Sequence, residues 1–115
     1  MIKAEFGIID SLELDREYIE YEPEKYDCVA IDDDQYMDNW WSELEEIDTY
    51  EHSLKRPAKG GARWGITIIP PESLEKFYRI VINDKRIAKD VNLKELANKI
   101  NDAINQNKYM IHFGI

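Results

Sequence analysis

The chain has 115 residues, of which 24 are Asp or Glu and 15 are Lys or Arg, so its formal net charge is −9. This length predicts one domain spanning residues 1–115 that buries its own core. The lone cysteine, Cys28, excludes an internal disulfide framework, and the 3 Trp, 7 Tyr and 3 Phe argue against a disordered acidic tail. The acidic balance predicts a protein that binds neither nucleic acid nor anionic membranes.

The N-terminal sequence lacks the basic segment and apolar run of a secretory signal. Nowhere does the chain contain the roughly 18 consecutive apolar residues that a membrane helix needs. Together with the single cysteine, these features predict a cytoplasmic protein.

The charge is divided unevenly along the chain. Residues 1–50 hold 17 acidic and 3 basic residues, a net −14, whereas residues 51–115 hold 7 acidic and 12 basic residues, a net +5. Such asymmetry indicates a charged interaction surface. The alternative is that the two halves attract each other within the fold and that water solvates the surplus acids.

The first third of the chain predicts strands around an irregular segment. Ala4, Phe6 and Ile8 alternate with other residues, as in a half-buried strand, and Leu12 and Leu14 are candidates for a short returning strand. Residues 15–25 are polar and carry two tyrosines, and Pro23 excludes a central strand there. Residues 26–31 are mostly apolar and predict a buried strand.

A helix follows, because apolar residues recur at spacings of three and four in one stripe: Tyr36, Met37, Trp40, Trp41, Leu44 and Ile47. The acidic triplet Asp32–Asp34 stands where its N-cap and first turn belong. Residues 48–63 predict a loop, and residues 64–69 predict a strand buried on both faces.

The last part of the chain predicts two helices and a strand. Pro71 suits the first position of a helix, and Asn92 with Glu95 forms a candidate capping box for another. Residues 109–113 alternate as a C-terminal strand. The predicted fold class is α+β, with a single small mixed or antiparallel sheet of about four to five strands packed against two to three helices.

No motif in the sequence assigns a catalytic residue, a metal or a cofactor. The triplet Asp32–Asp34 lacks the glycine and the distal glutamate of a calcium loop, so the cap interpretation is favoured. His52 and His112 have no partner at zinc-binding spacing. Cys28 falls in a predicted buried strand, which indicates a structural thiol rather than a nucleophile.

The segment 55–63 is basic and contains two adjacent glycines. Its cations and the preceding histidine are candidates for binding an anion: His52, Arg56, Lys59 and Arg63. Guanidinium groups and glycine N–H groups suit phosphate or carboxylate, although the spacing of a phosphate-binding loop is missing. The alternative is a solvated loop whose charges offset the acidic half.

Tyrosines and carboxylates alternate in the N-terminal half and suit binding to a cationic protein. The candidate partner-binding residues are Glu17, Tyr18, Glu20, Tyr21, Glu22, Asp32, Asp33 and Asp34. The composition predicts a small acidic interaction module of the immunity or inhibitor type, with a basic protein as partner. The alternatives are an anion-binding or enzymatic domain that uses the loop 55–63, and a subunit of a structural homo-oligomer.

Overall fold

The computed structural model describes residues 3–61 and 65–114. In this part of the chain, six strands form one sheet in the order β2-β1-β6-β5-β3-β4, and every neighbouring pair is antiparallel. The strands are β1 (Lys3–Ile9), β2 (Val29–Asp32), β3 (Asp48–Glu51), β4 (Pro57–Lys59), β5 (Gly65–Ile69) and β6 (Tyr109–Gly114). The α+β class is confirmed, and the sheet has more strands than the four to five predicted.

The α-helices of the described residues are α1 (Asp38–Leu44), α2 (Pro71–Ile82) and α3 (Val91–Gln106). One turn of π-helix, Asp33–Met37, leads into α1, and 3₁₀ turns occur at Pro23–Tyr26 and Lys85–Ala88. Pro71 occupies the first position of α2, as predicted. No helix among the described residues is long and apolar enough to cross a membrane.

The helices cover one face of the sheet and enclose the larger core. Each helix contributes to this core an apolar stripe at helical spacing. The stripe of α3 consists of Leu93, Leu96, Ala97, Ile100 and Ala103. The stripe that precedes and includes α1 is also confirmed, since Trp40 is buried while Trp41 is half-buried. Phe6 lies at the centre of this core, with its ring 5.2 Å from that of Phe77.

The second face of the sheet has its own core, although none of the α-helices of the described residues lies there. Residues 10–28, which we name the cover segment, lie across this face and contribute Tyr18 and Tyr26 to it. The sheet residues beneath are each at most 5 % exposed: Ile9, Ile66, Ile68, Ile111 and Phe113. Both faces of the central strands are therefore buried, which explains the nearly continuous apolar sequence of β5.

Four local predictions are wrong. Leu12 and Leu14 lie in turns and coil rather than in a strand, and the strand predicted over 26–31 begins at Val29 because a 3₁₀ turn occupies residues 23–26. The loop predicted over 48–63 contains β3 and β4. The cap of α3 is Asp90 rather than Asn92, since Asp90 Oδ1 accepts hydrogen bonds from the backbone N–H groups of Asn92 and Leu93.

Candidate functional site

The cover segment is held on the sheet by two buried tyrosines. Tyr18 is 3 % exposed; its backbone N–H donates to the His52 carbonyl at 2.7 Å, and its hydroxyl accepts from the Glu13 backbone N–H at 3.1 Å. Tyr26 is 9 % exposed and packs over Gly7, where a side chain would collide with it. These contacts fix the backbone of the segment, so the residues between the tyrosines are presented from a defined position.

The outer side of the cover segment carries unusually exposed apolar side chains. Among the described residues, five large hydrophobic side chains are exposed, and three of them lie here: Leu14 at 67 %, Ile19 at 69 % and Tyr21 at 60 %. Single exposed apolar residues are ordinary, but several on one short segment indicate a contact surface. Ile19 directly follows buried Tyr18, so consecutive side chains point into the core and into solvent.

Tyr21 combines exposure with a fixed orientation. Its hydroxyl donates a hydrogen bond to Glu5 Oε1, and its ring meets the Phe113 ring edge-on with centroids 5.4 Å apart. Glu5 is 8 % exposed, so this hydroxyl satisfies a buried carboxylate. The hydrogen bond to Glu5 raises the pKa of Tyr21 to about 12, because the neutral phenol is the donor. Tyr21 therefore offers one ring face from an ordered position.

The carboxylates of the segment surround these apolar side chains, but several already have basic neighbours. Glu17 lies 3.5 Å from Arg56, and Glu22 lies 3.5 Å from Lys25. A hydrogen bond with Glu20, aided by the charge of Lys25, lowers the pKa of Glu22. Glu20 is exposed and forms no ion pair within 4 Å among the described residues. Exposed pairs of this kind contribute only about 0–1 kcal/mol.

The acidic triplet is placed elsewhere and is divided in its roles. Asp32 Oδ1 accepts the backbone N–H of Gln35 at 3.2 Å, which confirms its predicted capping role. Asp33 is 5 % exposed, whereas Asp34 is exposed. The triplet lies at the end of β2 and not on the cover segment. Burial removes Tyr18 and Asp33 from the set of side chains that a partner can reach, so their assignment to a partner-binding surface needs correction.

The basic loop packs against the acidic segment instead of forming an anion pocket. His52 Nδ1 donates to the Tyr18 carbonyl at 2.9 Å, and the loop cations face Glu17 and Asp48 through Arg56 and Lys59. The cleft beside Lys59, lined by residues of β3 and β4, includes neither His52 nor Arg56. Arg63, the fourth candidate, lies outside the described residues. The three described candidates therefore do not converge on one ligand position.

The cover segment also carries one thiol, that of Cys28. Burial raises the pKa of the half-buried Cys28 thiol to about 12, which leaves it protonated at neutral pH and poorly nucleophilic. Within residues 3–61 and 65–114, no three His, Cys, Asp or Glu side chains come together in the way that a metal ion requires.

The candidate residues predicted from the sequence include Tyr21 and carboxylates of this segment, but not the exposed Leu14 and Ile19. The sequence predicts Leu14 in a strand, and Ile19 lies between Tyr18 and Glu20 without any periodic apolar neighbour. An isolated large apolar residue inside an acidic, aperiodic stretch is the only signal that the sequence offers for such a contact residue.

Comparison of the chain with protein-family models, with curated proteins and with solved structures finds no match. The functional interpretation therefore depends on the residues described above.

Proposed function

We propose that this protein is an interaction module that binds a basic protein through the outer side of the cover segment. Leu14, Ile19 and Tyr21 supply the apolar contact, and Glu17 and Glu20 supply the charge. The observation that carries the proposal is the concentration of exposed apolar side chains on an acidic segment that Tyr18 and Tyr26 anchor to the sheet. Anchoring reduces the conformational entropy lost on binding.

The charge layout supports a basic partner. Glu20 and the other carboxylates of the segment attract a cationic surface from a distance and raise the association rate. Arg56 pairs with Glu17 at an exposed position, and Lys25 pairs with the half-buried Glu22 from an exposed position. Water and salt screen such pairs, so lysines and arginines of a partner can replace these cations at small cost. Asp34 and the other exposed acids near α1 extend the negative field beyond the contact itself.

The mechanism would be occlusion, as in an inhibitor or an immunity protein. A ring and two aliphatic side chains fill shallow depressions beside a basic active site, and the surrounding carboxylates pair with its lysines and arginines. Such a role needs no catalytic group in this chain. A single cysteine suits a reducing compartment such as the cytoplasm, where the partner would also be met.

The apolar contact is tested by affinity purification from the native host followed by binding measurements with the purified partner. Ile19→Ser and Leu14→Ser are expected to weaken binding about tenfold each, because they remove buried contact area. Val91→Ser is the matched control, since Val91 is 66 % exposed but lies at the start of α3. A partner that loses affinity equally with all three variants would contradict the proposal.

The electrostatic contribution is tested with the same partner. Glu20→Lys is expected to reduce the association rate and to weaken its dependence on ionic strength, because exposed charges act over about one Debye length, roughly 10 Å at 0.1 M salt. Glu46→Lys, at an exposed position in the turn after α1 and outside the cover segment, provides an equal change in net charge. Association that does not respond to salt, or that responds equally to both variants, would refute steering by the cover segment.

A further inference from the structure

The two edges of the sheet differ in how they are protected. The outer strand at one end is β4, which has only three residues and carries Pro57 and Lys59, both of which discourage pairing with a further strand. The outer strand at the other end is β2, with the sequence Val-Ala-Ile-Asp, and it contains neither proline nor lysine. In the described sheet β2 pairs only with β1, so alternate backbone groups of β2 point away from the sheet.

A groove accompanies the beginning of this open edge. It has a volume of about 290 Å³ and lies between Asp27–Val29 and one stripe of α3. The stripe consists of Glu95, Asn98, Lys99 and Asp102, whose spacing places them on a single side of the helix. An edge strand beside a helix forms a site that accepts an extended peptide, because the strand supplies backbone hydrogen bonds and the helix contacts alternate side chains.

The charges that line the groove indicate which side chains such a peptide would carry. Lys99 Nζ lies 3.5 Å from Asp27 Oδ2, so the one ammonium of the lining already faces a carboxylate. Glu95 and Asp102 are exposed, and neither forms an ion pair within 4 Å with another described residue. The groove therefore presents two carboxylates to an incoming segment, and lysine or arginine complements them.

We infer that the groove between β2 and α3 binds an extended, basic segment of a partner protein, which adds to the sheet as a strand beside β2. The backbone of the segment pairs with the outward groups of Val29–Asp32, and every second side chain faces Glu95 and Asp102. The groove is lined in part by the last two residues of the cover segment, but by none of the proposed contact residues Leu14, Glu17, Ile19, Glu20 and Tyr21. It therefore holds or fails independently of the function proposed above.

The test uses the isotope-labelled full chain and a synthetic peptide of about eight residues that alternates lysine and valine, long enough for one strand. We expect saturable chemical-shift changes in the backbone amides of β2 and of residues 95–102.

Two controls separate strand addition from general attraction between opposite charges. The double variant Glu95→Lys, Asp102→Lys is expected to bind the peptide about tenfold more weakly, whereas Glu43→Lys, Glu46→Lys on the surface at α1 leaves its affinity unchanged. A peptide methylated on alternate backbone nitrogens is expected not to bind, because it cannot donate the required hydrogen bonds. Asp102→Lys alone provides a milder variant if the double variant is poorly folded.

The inference is overturned by any of four results: no saturable binding, shift changes confined to residues outside the groove, equal losses in the two double variants, or equal binding of the methylated peptide. None of these results bears on Ile19 or Leu14, so the binding test of the cover segment remains a separate experiment.

Discussion

Gly7 determines how closely the cover segment approaches the sheet. A Cβ atom at this position would lie 2.6 Å from the Tyr26 carbonyl oxygen and 2.8 Å from Cys28 Sγ, so the backbone of one element must move. We expect Gly7→Ala to lower the free energy of unfolding by about 1–3 kcal/mol, as overpacking does elsewhere. Urea denaturation followed by tryptophan fluorescence measures this change.

Gly61→Ala provides the comparison for this substitution. Its added Cβ would lie 3.2 Å from His112 Cδ2 and 3.2 Å from Met37 Cε, which are side-chain atoms that need shift by only a few tenths of an ångström. We expect a smaller loss of stability there. An equal loss of stability at both glycines would contradict the interpretation that Gly7 is needed for the close approach of Tyr26 to the sheet.

Asp84 connects α1 to the turn after α2 through hydrogen bonds. Its ionisation makes the free energy of unfolding depend on pH. It accepts hydrogen bonds from Arg86 Nη2 at 2.6 Å and from Trp40 Nε1 at 2.9 Å. The hydrogen bond from Arg86 lowers the pKa of Asp84 to about 2 from its ordinary 3.8. Because the folded-state pKa is the lower one, the stabilisation is complete above the unfolded-state value and disappears as the pH falls towards about 2.

Asp84→Asn tests this dependence. Its side chain is 9 % exposed, so a shift of this size corresponds to about 2 kcal/mol of stability at neutral pH. We expect the variant to be less stable than the wild type at pH 7 and to lose less further stability between about pH 4 and about pH 2. Denaturation curves at both ends of that range measure the difference. A wild type and a variant with parallel pH profiles would contradict the assignment.

At the scale of elements, the N-terminus of α3 has a different cap in the structure, Asp90, from the one predicted from the sequence, Asn92. Asp90→Ala removes the observed cap and the acceptor of the Tyr36 hydroxyl, and we expect it to cost about 1–2 kcal/mol of unfolding free energy. Asn92→Ala, at the cap predicted from sequence, is expected to change stability by less than about 0.5 kcal/mol, since alanine suits a helix interior. Equal effects in thermal or urea unfolding would support Asn92 as the cap.

Elements with a repeated apolar signal were predictable from the sequence. The stripes of α2 and α3 and the β-branched run of β5 each contain enough buried residues to define both type and place. The strands β3 and β4 were missed because they have only four and three residues and bury few side chains, among them Thr49. Their pairing is decided by β5 rather than by their own composition.

The cover segment marks the limit of prediction for the candidate site. Tyr18 and Tyr21 have similar acidic neighbours in sequence, yet one is buried at 3 % exposure and the other is 60 % exposed. The two tyrosines differ in a long-range contact. The backbone N–H of Tyr18 donates a hydrogen bond to the carbonyl of His52, which lies 34 residues further along the chain. Such a long-range hydrogen bond leaves no local pattern, so the sequence identified the segment but not which of its side chains face outwards.

At the scale of the whole molecule, the uneven charge is partly used within the fold. Ion pairs cross between the acidic and basic halves at Lys55–Asp15, Arg56–Glu17 and Lys108–Asp10, with distances of 3.8, 3.5 and 2.8 Å. The attraction between the halves is therefore real, and it draws the β3–β4 hairpin onto the cover segment. Because the net charge remains −9, the pairs leave a surplus of carboxylates, among them Glu20, Asp34 and Glu46.

Coverage of the second sheet face bears on the alternative that the chain is a homo-oligomer subunit. A bare face carrying Ile68, Ile111 and Phe113 would favour a homo-oligomer, but Tyr18 and Tyr26 occupy it. We expect Tyr18→Ala to remove about 3–5 kcal/mol of stability and to loosen the cover segment. The uncovered face then favours self-association, which sedimentation measures. Faster amide exchange in residues 10–28 measures the loosening of the cover segment. Ile19→Ala, one residue away and 69 % exposed, is expected to leave both measurements unchanged.

If Tyr18→Ala unfolds the chain globally, Tyr18→Leu provides a milder opening, and a monomer with fast exchange confined to residues 10–28 would show that the uncovered face does not drive association.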